Sequence, residues 1–124
     1  MRLRTTIHTA LLMALVTPMS PAFAHHTFAM FDANRQLTLH GTVKELQWTN
    51  PHCFLQLLVS RGGSTQEWSL QMNAPLDLYR NGWRPGSLRP GDRITVIINP
   101  TRDGSHSGRL RSGTGPDGKA LAEP

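Results

Sequence analysis

The chain has a single cysteine, Cys53, so no disulfide can close within it even in an oxidising compartment. Aromatic residues make up only 6% of the sequence, too few to alternate with the arginines along a nucleic-acid platform. Lysine runs are absent too, which leaves the charge pattern of a nucleic-acid interface without its usual partners. No apolar run approaches the roughly 20 residues that a membrane span takes. The eight acidic residues are scattered, and no pair has a spacing suited to acid–base work. Gly-x-Ser-x-Gly, a phosphate-cradling loop and His-Glu-x-x-His are all missing. These absences point away from an enzyme and from a nucleic-acid partner, and a length of 124 residues allows one domain.

What is present begins with a leader. Arg2 and Arg4 precede the apolar run Ala10-Leu11-Leu12-Met13-Ala14-Leu15-Val16, and Pro18, Ser20 and Pro21 interrupt it before Ala22-Phe23-Ala24. A short positive segment, an apolar stretch and small residues three and one positions before a cut are what signal peptidase reads. Residues 1–24 are therefore expected to be a cleaved signal peptide, placing the protein in the periplasm or outside the cell with no stable membrane insertion afterwards. Removing them takes two of the thirteen basic residues and no acid, leaving eleven against eight, a formal charge of +3. In an exported protein such a modest excess reads as a solvated cationic face.

Residues 25–35 read as an N-terminal arm, with Phe28, Met30 and Phe31 apolar enough to pack and Asp32-Ala33-Asn34-Arg35 forming a turn. From residue 36 the period becomes two: Leu37, Leu39, Gly41 and Val43 alternate with polar residues, and the phase then slips to Leu46 and Trp48, as a bulge requires. Gly41 is the position where a bulge or sharp bend is expected. Further strands are predicted over 52–60, 65–72, 93–99 and 108–114. Arg61-Gly62-Gly63-Ser64 forms a hairpin, and a short helix over 74–80 follows Asn73 as its cap. This order is that of a mainly β fold, a small five-stranded antiparallel OB-like barrel with one short helix between strands 3 and 4. It covers residues 36–116, with 117–124 as a flexible C-terminal tail. A six-stranded sandwich, with the arm pairing as an extra strand, is the alternative.

Several stretches are characteristic in combination: Ala24-His25-His26-Thr27-Phe28-Ala29-Met30-Phe31-Asp32, residues 41–52, Asn81-Gly82-Trp83, Leu88-Arg89-Pro90-Gly91-Asp92 and Asn99-Pro100-Thr101-Arg102-Asp103-Gly104. In them the chain resembles a family of small exported bacterial proteins catalogued as a domain of unknown function, number 6152. The resemblance implies an exported, barrel-like domain and no particular activity. The chain departs from the family pattern at Cys53-Phe54, and at Met72, where an acid is expected.

Two constellations remain as candidate sites. If cleavage falls after Ala24, the mature chain starts with His25-His26. A terminal histidine offers its α-amino nitrogen and its own Nδ1 as a chelating pair, and planar nitrogen donation suits Cu(II). An alternative chelate uses the amino group with the His26 amide nitrogen and imidazole. His52, opening a strand after Asn50-Pro51, is the best further ligand; His40 is weaker, and Asp32 or Glu67 are candidates to orient a ligand. Copper is accordingly the candidate cofactor. With an α-amino pKa near 8, binding strengthens as pH rises, because the metal displaces protons. The second constellation is a ligand or partner surface of Trp48, Trp83 and Arg84, facing an envelope protein or a small ligand. Its competing reading places Trp48 and Trp68 in the core and packs Trp83 over the barrel end. The function expected is thus a non-catalytic exported binding protein, either holding copper through His25, His26 and His52 or acting as a metal-free accessory module.

Overall fold

The computed structural model describes residues 28–124. The expected signal peptide and the two candidate ligands His25 and His26 lie outside the described residues. Five strands, β1 (Leu37–Gln47), β2 (Phe54–Arg61), β3 (Ser64–Gln71), β4 (Arg93–Pro100) and β5 (Ser107–Thr114), enclose a barrel, and one helix, α1 (Pro75–Arg80), follows β3. The strands close in the order β1-β2-β3-β5-β4. Four of the five pairings are antiparallel, but β3 and β5 run parallel from Ser69↔Ser107 to Gln71↔Arg109, so the barrel is mixed rather than strictly antiparallel. The reason is topological: α1 and the loop after it carry the chain back across one end, and β5 then fills the remaining gap beside β3.

In β1 the alternation read from the sequence is the alternation of burial, with Leu39 and Val43 inside. Leu55, Leu57 and Val59 point inward from β2, Trp68 and Leu70 from β3, and Ile94, Val96 and Ile98 from β4. Side chains of period two cannot share a face any other way. In β1 the phase slip lies between Val43 and Glu45, where the register against β2 shifts. The bulge is therefore three residues beyond Gly41, and it turns Leu46 and Trp48 onto the core. Gly41 serves a different purpose. A Cβ there would stand 2.7 Å from both Leu57 Cγ and the Leu58 carbonyl, so β1 crosses β2 more closely than any side chain permits.

The hairpin at Gly62-Gly63 has positive φ at both residues, 59° and 82°, which gives the two-residue turn the twist of the strands it joins. The helix start differs from expectation. Ala74 occupies the cap position without a side-chain bond. Asn73 instead continues the β2–β3 ladder through its carbonyl, which accepts from Cys53 N–H at 3.0 Å. Pro75, early in the helix where no N–H is needed, suits the start.

A tryptophan lies toward each barrel end. Trp83, with Leu78 of α1 and Leu88, seals the end to which β3 hands over, and Trp68 lies toward the other. The expected frayed tail is instead docked: Thr114 bridges Ala120, Leu121 N–H donates to the Gly113 carbonyl, and the Glu123 carbonyl accepts from Trp83 Nε1 at 3.0 Å. The arm forms a single bridge, Phe31↔Thr101, with Phe31 buried, so it adds no sixth strand. Among the described residues no helix is long and apolar enough to cross a membrane.

Candidate functional site

His52 sits at the mouth of β2, half-buried in the loop between β1 and β2. Its Nδ1 lies 3.2 Å from the Met72 carbonyl. A carbonyl only accepts, so in the neutral ring this contact puts the proton on Nδ1 and the lone pair on Nε2. The loop is held from within: Thr49 Oγ1 donates to the His52 carbonyl at 2.7 Å, and the strand pairing continues through Cys53 N–H to Asn73 and Met72 N–H to Cys53. The ring is therefore oriented by backbone on a rigid β2–β3 edge. Neither Asp32 nor Glu67 plays that part, since Asp32 faces Arg102 at 3.8 Å and Glu67 binds Lys44 at 2.7 Å. His40 lies elsewhere on β1, its Nδ1 2.9 Å from Thr95 Oγ1.

Beside His52 runs a short relay of contacts to the arm. Arg109 of β5 donates from Nη2 to Asn73 Oδ1 at 2.8 Å, and its guanidinium lies 4.7 Å from the Phe28 ring. Burial, and then the like charge of Arg111, push the Arg109 pKa down from its ordinary value. Its Nη1 and the Nε2 of Gln71, its partner across the parallel strands, are buried with no hydrogen-bond partner among the described residues. The arm is anchored independently by Arg102, whose N–H donates to the Met30 carbonyl at 2.9 Å and whose Nε donates to the Ala29 carbonyl at 3.2 Å. Phe28, Asn73 and Arg109 had no signal as site residues in the sequence, because their meeting depends on which strands become neighbours.

Cys53 is adjacent to His52 but is no ligand. It is fully buried, and burial pushes its thiol pKa up, an effect partly offset by the Thr49 backbone. At about pH 8 a thiol reagent should leave the folded protein unlabelled and react with one equivalent only after denaturant is added. Labelling of the folded protein within minutes would put that thiol at the surface. Among the described residues no group of three or more His, Cys, Asp or Glu side chains is placed to hold a metal.

The tryptophan surface is corrected by burial. Trp83 is 2% exposed beneath the C-terminal residues, Trp68 is 6% exposed within the core, and Trp48 packs against that core. A small barrel has two ends to fill, and large apolar rings fill them. Arg84 turns the other way from Trp83: its guanidinium stacks 3.7 Å from the Tyr79 ring centroid and donates to the carbonyls of Tyr79 and Trp83. It therefore braces the turn after α1, adding a donor to the Tyr79 carbonyl, which also accepts from Gly82 N–H, and to the Trp83 carbonyl beyond the helix. A family model described as a family of unknown function (DUF6152) matches residues 13–111. No curated protein and no solved structure matches the chain.

Proposed function

The chain belongs to the DUF6152 family of unknown function, and on that footing we propose that it is an exported, non-catalytic binding protein that holds copper between its processed N-terminus and His52. One observation carries this reading. The His52 ring commits Nδ1–H to a backbone carbonyl at 3.2 Å, which is how metal-binding imidazoles are usually held with Nε2 presented to the ion. The arm supports it as well. Phe28 rests on Arg109, Arg109 binds Asn73, and Asn73 follows the Met72 whose carbonyl accepts from His52. Phe28 is thereby linked to the segment that holds His52, and three residues fully extended span about 10 Å. In this reading a chain cut after Ala24 contributes the α-amino nitrogen, the His25 imidazole and the His26 amide and ring as the remaining donors. Export is supported by the leader pattern, and the family match begins at residue 13, inside its apolar run.

Native mass spectrometry of the exported protein with one equivalent of Cu(II) tests this. The expected result is a chain beginning at His25 that retains one copper against a competing chelator, more firmly as pH rises from about 6 to 8. A His25→Ala, His52→Ala double variant should bind at least about 100-fold more weakly, since even the partners of ligands are worth 10–100-fold. Unchanged stoichiometric binding in that variant would sink the proposal. A second reading, a metal-free accessory module for an envelope protein or small ligand, draws on α1, where Leu76 and Tyr79 are 59% and 55% exposed beside Arg84. Under it the copper is lost to a weak chelator, and Tyr79→Ala rather than His52→Ala disrupts binding of the partner.

A further inference from the structure

We propose that the barrel end opposite α1 is a binding site for a small oxyanion, a carboxylate or phosphate group on a compact ligand. A cavity of about 220 Å³ opens there, between the starts of β1 and β3, the end of β2 and the loop joining β4 to β5. That is several times the roughly 30 Å³ share of a water molecule and below the usual 300–1,000 Å³ of larger organic ligands. Its chemistry is one-sided. Arg35 and Arg61 bring two guanidinium groups and Gln66 an amide, and Trp68 and His106 form an aromatic wall with ring centroids 5.0 Å apart. No carboxylate lines it. Among the described residues, neither arginine is in an ion pair: the three present join Lys44 to Glu67, Arg80 to Asp77 and Arg102 to Asp32. Asp103, in the neighbouring loop, is occupied by Ser105 N–H at 2.9 Å.

The decisive feature is the Trp68 indole. Its Nε1–H is buried with no hydrogen-bond partner among the described residues, and buried donors ordinarily have one. The other end of the barrel provides the comparison. There Trp83 is equally buried, and its Nε1–H donates to the Glu123 carbonyl at 3.0 Å because the chain folds its own C-terminal residues over the opening. At the Trp68 end the described chain supplies no such oxygen. An anionic ligand in the cavity, its charge neutralised by the two guanidinium groups, brings an oxygen to this end, and a small turn of the Trp68 indole lets its Nε1–H donate there as Trp83 donates to Glu123 at the other. Paired arginines favour carboxylate and phosphate because their forked donors match two oxygens at once.

The test is a titration followed by the indole N–H resonances of the three tryptophans, with succinate and inorganic phosphate as separate probes and ionic strength held constant with sodium chloride. Trp68→Phe identifies the Trp68 signal. With at least one probe, that signal should shift saturably while those of Trp48 and Trp83 stay in place. An Arg35→Gln, Arg61→Gln double variant, changed only at exposed side chains, should weaken the binding at least tenfold. A Trp68 signal that neither probe moves, that drifts without saturating, or that moves as much in the double variant overturns the proposal. The measurement is made without metal, so its outcome is independent of the copper reading.

Discussion

Trp83→Ala should lower the unfolding free energy by about 3–5 kcal/mol, the range for removing a large aromatic from a core. The side chain is 2% exposed and shares the main cluster with Leu78 and Leu88. It is also the anchor for the chain's end, because its Nε1–H donates to the Glu123 carbonyl. Losing it opens a cavity under α1 and releases the last residues at once. For a domain whose total stability is about 5–15 kcal/mol, the variant stands near the edge of folding. Its melting temperature should fall by roughly 20 °C, taking about 4–8 °C per kcal/mol for a chain of this size. Urea denaturation checks the energy, and limited proteolysis checks the tail, which should become cleavable within 117–124. Trp83→Phe separates the two roles, keeping most of the packing and losing the N–H. A loss below about 1 kcal/mol for Trp83→Ala is what a surface tryptophan gives, and it would restore the reading of Trp83 as part of a ligand-facing patch.

Gly41→Val should cost about 3 kcal/mol, although valine is the better strand former. Any Cβ at this position meets Leu57 Cγ and the Leu58 carbonyl at 2.7 Å. The leucine side chain can turn away, but the carbonyl is part of β2 and moves only if the strand moves. Because Thr42↔Leu58 and Val43↔Leu57 are the first pairs joining these strands, the strain falls on the register that closes the barrel. Gly86 is the control: nothing lies within 4 Å of a Cβ built there, and its φ is not in the left-handed region. Gly86→Ala should therefore be neutral or stabilise by about 0.4–1 kcal/mol. Equal effects at the two glycines would mean that β1 does not approach β2 as closely as described.

Within the candidate site, legibility followed the range of each interaction. His52 could be singled out because its neighbours in sequence, Asn50-Pro51 before it and a strand after it, define its setting. Its orienting partner could not, because the Met72 carbonyl is backbone and lies 20 residues away. Arg109 meets Asn73 across 36 residues, and that meeting exists only because β5 inserts beside β3. Trp68 was legible as core from its phase with Leu70 and Met72. Trp83 lies in an irregular segment between α1 and β4, where no period tells inside from outside. Gly41 was recognised as special, for a bulge or a sharp bend; the bulge falls between Val43 and Glu45, and it is the close approach to β2 that requires glycine. A phase slip locates a bulge only to within a few residues, whereas a close strand crossing leaves no pattern at all.

By itself the sequence determined the parts: five strands, the Gly62-Gly63 turn, the helix after β3, a lone cysteine that can close no internal disulfide and the alternation of β1. These follow from alternation and turn chemistry, which act over a few residues and are written in their order. Only the tertiary structure decided that β3 and β5 run parallel, that the C-terminal residues seal one end over Trp83, and that Trp68 at the other end keeps an unpartnered N–H beside Arg35 and Arg61. Those are consequences of closing a sheet on itself. Closure chooses neighbours from strands far apart in sequence, and no local preference encodes which ones will meet.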